Sequence, residues 1–379
     1  MPAGSIDCWY AWNAICTTAH GSVKPCCVYE HDVNQQFDGN WHQAVNTPEM
    51  QSIRKQLQQG KWPKGCMDCA NDEYATRRSM RTKGLANISK NSYNSIVVDE
   101  PVYADIKYGN ACNLSCYTCG GHSSSKILAE WNTHNEEDWL DETNIENRSA
   151  NSFNFRWSKD VELRDNENLQ TLKFTGGEPF QNKTVRRHLE GLIRAGRTDI
   201  DLQFVSNLFA VNPSWWHILD EFRSVQILAS CDGTEELYEY IRYPARWPAF
   251  QEQFWELYNN SAYNVSITCT VSSLNVLNLV DMFEEFPGVR IDFDNMVYRP
   301  RFYDPRYLPG EVVELAVNRI KASGRPELNT VKNKLLSSKF EPQVFQELYD
   351  DTCIKDDIRG MVLRYAAPEL MEFYDGRGF

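Results

Sequence analysis

Gly109-Asn-Ala-Cys-Asn-Leu-Ser-Cys-Tyr-Thr-Cys-Gly-Gly121 is the stretch on which the reading of this chain turns. It places Cys112, Cys116 and Cys119 in one short loop, spaced by three and then two residues. Thiolates ligate a cubic four-iron cluster well, one to each iron corner. Three thiolates leave one iron without a protein ligand. An open metal position marks a site built for chemistry, as open zinc sites do. The loop therefore reads as a place where a small molecule meets iron directly.

Working outward, Tyr103–Tyr108 reads as a strand that ends at the loop, and Leu172–Phe174 as a second that ends in Thr175-Gly-Gly-Glu-Pro179. Val185–Ala195 has helical apolar spacing, with Gly196 as its stop. Leu202–Val205 and Val225–Ala229 are further strands, the second ending at Ser230-Cys-Asp-Gly233. Pro213–Phe222 is a helix with proline near its start, and Thr234–Ile241 a helix with Thr234 as cap. Val265–Val271 is a strand, Val276–Phe286 a helix and Val289–Met296 a sixth strand. Strands alternating with helices imply parallel βαβ units. In α/β barrels the site lies at the C-terminal ends of strands, where these motifs fall.

The loop spacing, its Cys-Asn-Leu-x-Cys opening and Gly176-Gly177-Glu178-Pro179 after the second strand resemble the radical SAM superfamily. The resemblance implies an α/β fold: a partial (β/α)6 TIM-like barrel over residues 96–305. It implies a [4Fe-4S] cluster on Cys112, Cys116 and Cys119, whose open iron holds the amino and carboxylate groups of S-adenosyl-L-methionine. Reductive cleavage then yields methionine and a 5′-deoxyadenosyl radical. Gly176, Gly177 and Glu178 match the amine-binding motif, and glycine lets backbone approach a ligand closely. Ser230 and Arg242 are set against the methionine carboxylate, which arginine grips bidentately. Asn207 and Asn275, after the third and fifth strands, are candidates for the methionine or ribose, against ordinary turn or capping roles. The superfamily commonly has an aromatic residue before the third cysteine, beside the adenine; here Thr118 stands there and Tyr117 is its neighbour.

Residues 1–95 hold a second cysteine set. Cys8, Cys26, Cys66 and Cys69, with the intervening Gly21-Ser-Val-Lys-Pro-Cys26, Trp12, Met50-Gln-Ser-Ile-Arg54 and Gly60-Lys-Trp-Pro-Lys-Gly65, resemble a SPASM/twitch module. That implies a second, auxiliary [4Fe-4S] cluster in a small domain of hairpin and helix. Such modules usually follow the barrel, whereas this one precedes it. Four thiolates also suit a structural zinc, and Cys27 is an alternative to Cys26, because adjacent strand residues point opposite ways. Cys16 reads as a small buried hydrophobe. Residues 131–168 break the strand–helix rhythm and read as an insertion over the mouth of the site or as a solvated loop. Residues 306–379 read as a helical extension that packs on the barrel without chemistry of its own.

Strand parity separates lumen from core. Ser230 shares a face with Leu228 and Gln226, and Ser266, Thr268 and Thr270 should face the cavity while Val265, Ile267, Cys269 and Val271 pack under helices. Asp292, Asp294 and Lys107 are the candidate catalytic or substrate-binding residues. The acids either bind a cationic substrate group or pair with Lys107 or Arg299. Asp105 carries the same alternatives. His122 is a candidate proton donor or the cap of the helix opened by Ser123-Ser-Ser125.

The 379 residues are 42% hydrophobic and 12% aromatic, enough for a large core. There is no apolar run of membrane-spanning length, and Met1-Pro-Ala-Gly-Ser-Ile-Asp lacks the marks of a signal peptide. A cytoplasmic protein with no membrane partner is expected, and there its 12 cysteines suit metal better than disulfides. A net charge of −13, from 39 basic and 52 acidic residues, argues against nucleic acid as partner. The expected partners are a peptide, protein or small-molecule substrate, aminoglycosides among the last, and a flavodoxin- or ferredoxin-type electron donor. The chain is expected to act as a monomer. The rival readings are a two-cluster electron-transfer or scaffold protein without SAM chemistry and a zinc-stabilised interaction protein.

Overall fold

In the computed structural model, residues 4–31, 33–85, 95–134 and 163–376 are described. Most of the insertion read over 131–168 lies outside them; its ends belong to a helix, Ser125–His134, and a short turn of helix at Leu163–Asp165.

Among the described residues one nine-stranded sheet organises the chain, in the order β3-β2-β1-β4-β5-β6-β7-β8-β9. The strands are β1 (Ala14–Thr17), β2 (Ser22–Lys24), β3 (Val33–Gln36), β4 (Tyr103–Ile106), β5 (Thr171–Phe174), β6 (Asp201–Ser206), β7 (Ser224–Ser230), β8 (Tyr263–Val271) and β9 (Ile291–Met296). Each neighbour from β4 to β9 pairs in parallel, so the six strands expected from the sequence are present in order. The parity reading also holds. Leu172, Phe174, Leu202, Phe204, Ile227 and Ile267 are buried to 1% exposure or less, the apolar layer beneath the helices. Their sequence neighbours Lys173, Gln203, Val205, Leu228 and Thr268 are half-buried on the other face. Parallel strands need crossovers, and the Lys183–Arg194 and Trp247–Tyr258 helices supply two of them.

The N-terminal residues extend this same sheet. β1 lies parallel to β4, with Ala14 opposite Tyr103, and antiparallel to β2. Val23 is fully buried and the chain breaks after Lys24 at Pro25, as the hairpin reading requires. Cys16 is buried in β1.

Arg54 has a structural role that its charge does not advertise. It lies in the Pro48–Gln58 helix, which Thr47 caps by accepting from Met50 N at 3.2 Å. The side chain is 1% exposed and donates to Ala11 O at 2.8 Å, to the Asn46 side chain at 3.3 Å, and to Val45 O and Ile96 O. Burial lowers its pKa to about 10, still a cation at neutral pH. One guanidinium thus closes three carbonyls from separate segments. Arg54→Met keeps the volume but strands those acceptors, at ~1–3 kcal/mol each before relaxation. A loss of about 3–5 kcal/mol is expected, read as a drop in the denaturation midpoint; a change under about 1 kcal/mol would show that water replaces the clamp.

Two local expectations are corrected. Only Met282–Glu285 of the expected Val276–Phe286 helix is α-helical. The Asn275 side chain accepts from Ser272 N at 2.8 Å and donates to Thr270 O and Asp232 O, both at 2.9 Å, and so fixes a turn before a helix can start. Thr234 stands at the start of the Glu235–Ile241 helix, but its side chain makes no capping bond. No helix among the described residues is long and apolar enough to cross a membrane.

Candidate functional site

The three-cysteine loop follows β4 and is tied down on three sides. Glu178 N donates to Ala111 O at 2.7 Å, joining it to the glycine motif after β5. Gly177 makes this approach possible: at φ +60°, a Cβ there would lie 2.3 Å from Ala111 O. Gly176, at φ +79°, lies under the Lys107 side chain, 2.9 Å from where its Cβ would be. On the second side, Ser124 Oγ donates to Leu114 O at 2.6 Å and accepts from Ile127 N at 3.3 Å. Ser124, not His122, is therefore the cap of the Ser125–His134 helix, and His122 is exposed.

The third side is the C-terminal extension. Lys355, from the Pro342–Arg359 helix, donates to Tyr117 O at 3.2 Å, and Tyr117 Oη donates to Asp356 at 2.7 Å. Tyr117 is fully buried and stacks on Tyr240 with ring centroids 4.2 Å apart. With Thr118 and Cys119 it lines a cavity of about 250 Å³, walled also by Trp131, Phe302, Tyr303 and Arg359. The extension read as chemically silent thus packs on the loop and helps wall this space; its Asp351, Lys355 and Arg359 carried no motif that would reveal it.

The cysteines differ in setting. Burial, with help from Cys116, pushes the Cys112 thiol up to about 12. Cys116 and Cys119 share a hydrogen bond that lowers the Cys119 pKa and raises that of buried Cys116, so the exposed Cys119 is the more acidic.

Glu178 is 1% exposed and is not turned to open space as the amine-binding reading expects. Its carboxylate accepts from Asn207 N at 2.7 Å, Ser206 Oγ at 2.9 Å and Phe180 N at 3.1 Å. Backbone donors outcompete water for it, and the acid becomes the pin between β5 and β6. Asn207 in turn donates to Asn113 Oδ1 at 2.9 Å and lies 4.0 Å from Cys112 Sγ. Burial raises the Glu178 carboxyl from 4.5 to about 7 despite these donors. A raised acid binds its proton more tightly when folded. Its contribution is full below the unfolded value and is lost as pH rises from about 4.5 through 7, about 3 kcal/mol in all. Subtracting the stability of Glu178→Gln from that of the parent at pH 5 and at pH 8 should expose this loss; equal differences at both pH values would refute it.

Ser230 ends β7 with 9% exposure, and Arg242 follows the next helix, buried and salt-bridged to Asp232 at 2.8 Å. Asp232 was missed, though its place two residues past a strand end was a signal. Asn275 is committed to the turn described above.

The second set also converges. Cys26 is half-buried, and its pKa is raised by desolvation and then by Cys27, Cys8, Cys69 and Cys66. Burial pushes Cys8 up to about 11 with Cys69 as neighbour, and Cys66 up to about 12 with Cys8 and Cys69. Among the described residues, no three His, Cys, Asp or Glu side chains gather tightly enough to hold a single metal ion. Cys27, the neighbour of Cys26, also lines a cavity of about 210 Å³ on the open face of the sheet. That cavity also takes Lys173, Leu228, Thr268, Asp292 and Asp294. The two acids pair with Lys83, at 3.3 Å from Asp292 and 2.6 Å from Asp294. This corrects the expected partners: Lys107 lies over Gly176 and Arg299 lines a separate cleft. Nothing in the sequence around Lys83 announced it. Asp105, also buried, accepts from Thr175 Oγ1 at 2.5 Å and faces Lys173 at 3.9 Å.

No protein-family model matches the chain, and no curated protein matches it. Among solved structures, histidine-tagged anSMEcpe with bound AdoMet is similar over 57% of this chain and 58% of that one, at 16% identity and a TM-score of 0.37. Streptococcus suis SuiB bound to S-adenosylmethionine is similar over 77% and 63%, at 11% identity and a TM-score of 0.35. SuiB bound to its precursor peptide SuiA is similar over 90% and 70%, at 12% identity and a TM-score of 0.33. This chain spans less than two thirds of the first two of these chains.

Proposed function

We propose that the chain is a radical SAM enzyme acting on a side chain of a peptide or protein. The observation that carries this is the pinning of the Cys112–Cys119 loop to Gly176-Gly177-Glu178 through Glu178 N and Ala111 O, at 2.7 Å. Three thiols without a fourth, held against a glycine turn with left-handed backbone, suit a cluster with one open iron and a ligand that must come close. S-adenosyl-L-methionine bound at such a cluster supplies a carbon-centred radical that removes a hydrogen atom from substrate. Cys112, Cys116 and Cys119 would hold the cluster. Gly176, Gly177, Asn207 and Ser230 would take the methionine end, and the cavity beside Cys119, with its aromatic walls, the adenosine end.

Cys8, Cys26, Cys66 and Cys69 would hold the auxiliary cluster, with residues 1–95 as its module. Four thiolates also suit a structural zinc, and metal counting separates the two. The substrate would occupy the Cys27–Asp292–Asp294 cavity. A second, polar cleft of about 880 Å³ shares the Asp72–Lys334 ion pair, 3.0 Å, as a wall with that cavity. A peptide lying in the cleft can extend one side chain inward, which favours this substrate over a small molecule such as an aminoglycoside.

Anaerobic reconstitution with iron and sulfide tests the reading. About eight irons per chain, as two four-iron cubes, and formation of 5′-deoxyadenosine under reduction are expected. Four irons with one zinc would remove the auxiliary cluster, and iron uptake without deoxyadenosine would leave the electron-transfer reading.

A further inference from the structure

Arg242 is usually the residue one would turn toward a ligand carboxylate, yet its surroundings assign it elsewhere. Ser115 N donates to Tyr243 O at 2.7 Å, and Tyr117 N donates to Ile241 O at 2.8 Å. These two bonds hold the segment around Cys116 against the residues that flank Arg242, and the Arg242 cation acts on the Cys116 and Cys119 sulfurs. Arg242 is 8% exposed and its guanidinium is already engaged by Asp232 at 2.8 Å. Asp232, 2% exposed, is itself fixed by accepting from Thr270 N at 2.7 Å. One donor is left over: Arg242 Nε is buried and has no hydrogen-bond partner. A buried donor without an acceptor is costly, so such a group implies a partner. Tyr238, one turn earlier on the same helix, has a buried hydroxyl in the same condition.

We infer that Arg242 Nε–H donates to the Cys116 sulfur once that sulfur ligates the cluster, and that Asp232 holds the guanidinium in this pose. Arg242 is then a residue that tunes the cluster's potential, not the grip for the methionine carboxylate. The inference rests on the reading of the Cys112–Cys119 loop as a cluster site. A hydrogen bond and a positive charge at a ligand sulfur stabilise the reduced, more negative cluster and raise its potential. Asp232, of opposite charge, offsets part of this.

The test is a potentiometric titration of the reconstituted full chain without S-adenosyl-L-methionine. It follows the paramagnetic signal that Cys112→Ala abolishes. Arg242→Gln should lower the midpoint potential and Asp232→Asn should raise it. Unchanged midpoints in both variants at full iron content would overturn the inference; weaker S-adenosyl-L-methionine binding in that case would return Arg242 to the carboxylate. Should Arg242→Gln fail to take up iron, Asp232→Asn decides alone, a rise supporting the role and no shift overturning it. A parent chain that takes up no iron at this loop instead sinks the cluster reading beneath the proposal.

Discussion

Cys112→Ala is expected to lose about half of the reconstituted iron, roughly four of eight, and all 5′-deoxyadenosine formation. Cys112 is the residue through which the loop feels its surroundings. Its backbone N contacts Ser125 Oγ at 3.2 Å, and its sulfur is 4.0 Å from Asn207 Nδ2, which is tied through Asn113 to the loop itself. The loop's backbone does not need the thiol: Ala111 O, Leu114 O and Ser115 N are all held by other groups. The variant should therefore fold at close to parent stability, which separates loss of metal from loss of structure. Two remaining thiols leave two irons exposed, too few ligands to retain a cube. Deoxyadenosine yield is the decisive readout, because it requires both the cluster and the bound methionine end. Unchanged yield in Cys112→Ala would end the enzyme reading, and unchanged iron would move the cluster to other residues.

The Cys26→Ala and Cys27→Ala variants are expected to part sharply. Cys26→Ala should lose the other four irons while keeping the signal of the first cluster. Cys27→Ala should keep its full iron and lower substrate turnover instead. The adjacent thiols were interchangeable on paper, since either face of a strand end suits a ligand. Their surroundings differ: Cys26 has Cys27, Cys8, Cys69 and Cys66 as neighbours, and Cys27 lines the cavity that also holds Lys173, Asp292 and Asp294. The Cys66–Cys69 side of the site is built by the Met67–Thr76 helix, with Ser79 and Arg81 close to Cys69. Full iron in Cys26→Ala together with loss in Cys27→Ala would reverse the assignment, and zinc in place of the lost iron would make the site structural.

Local signals carried much of the architecture. The alternation in β6, where Leu202 and Phe204 are buried and Asp201, Gln203 and Val205 are not, is a period of two that any pleated strand imposes, and it was readable as such. The three-cysteine loop and the glycine motif were readable because ligand geometry and left-handed backbone restrict residue type within a few positions. The Val276–Phe286 helix misled because its apolar spacing was genuine while one side chain, Asn275, held the preceding turn by bonds to Thr270 and to Asp232 in another loop.

By itself, then, the sequence determined the parallel α/β order and the alternation of buried and cavity-facing residues along its strands. Only the tertiary structure decided the partners of buried charge. Glu178 looked like a ligand for an amine and became a pin between strands. Asp292 and Asp294 found Lys83, some two hundred residues earlier, and Arg242 found Asp232. Tyr117 found Asp356. Periodicity and metal-ligand spacing act over a few residues and leave their mark in the chain. A buried charge is satisfied by whichever opposite group the fold brings within about 4 Å, and nothing in the spacing of the chain records which group that will be.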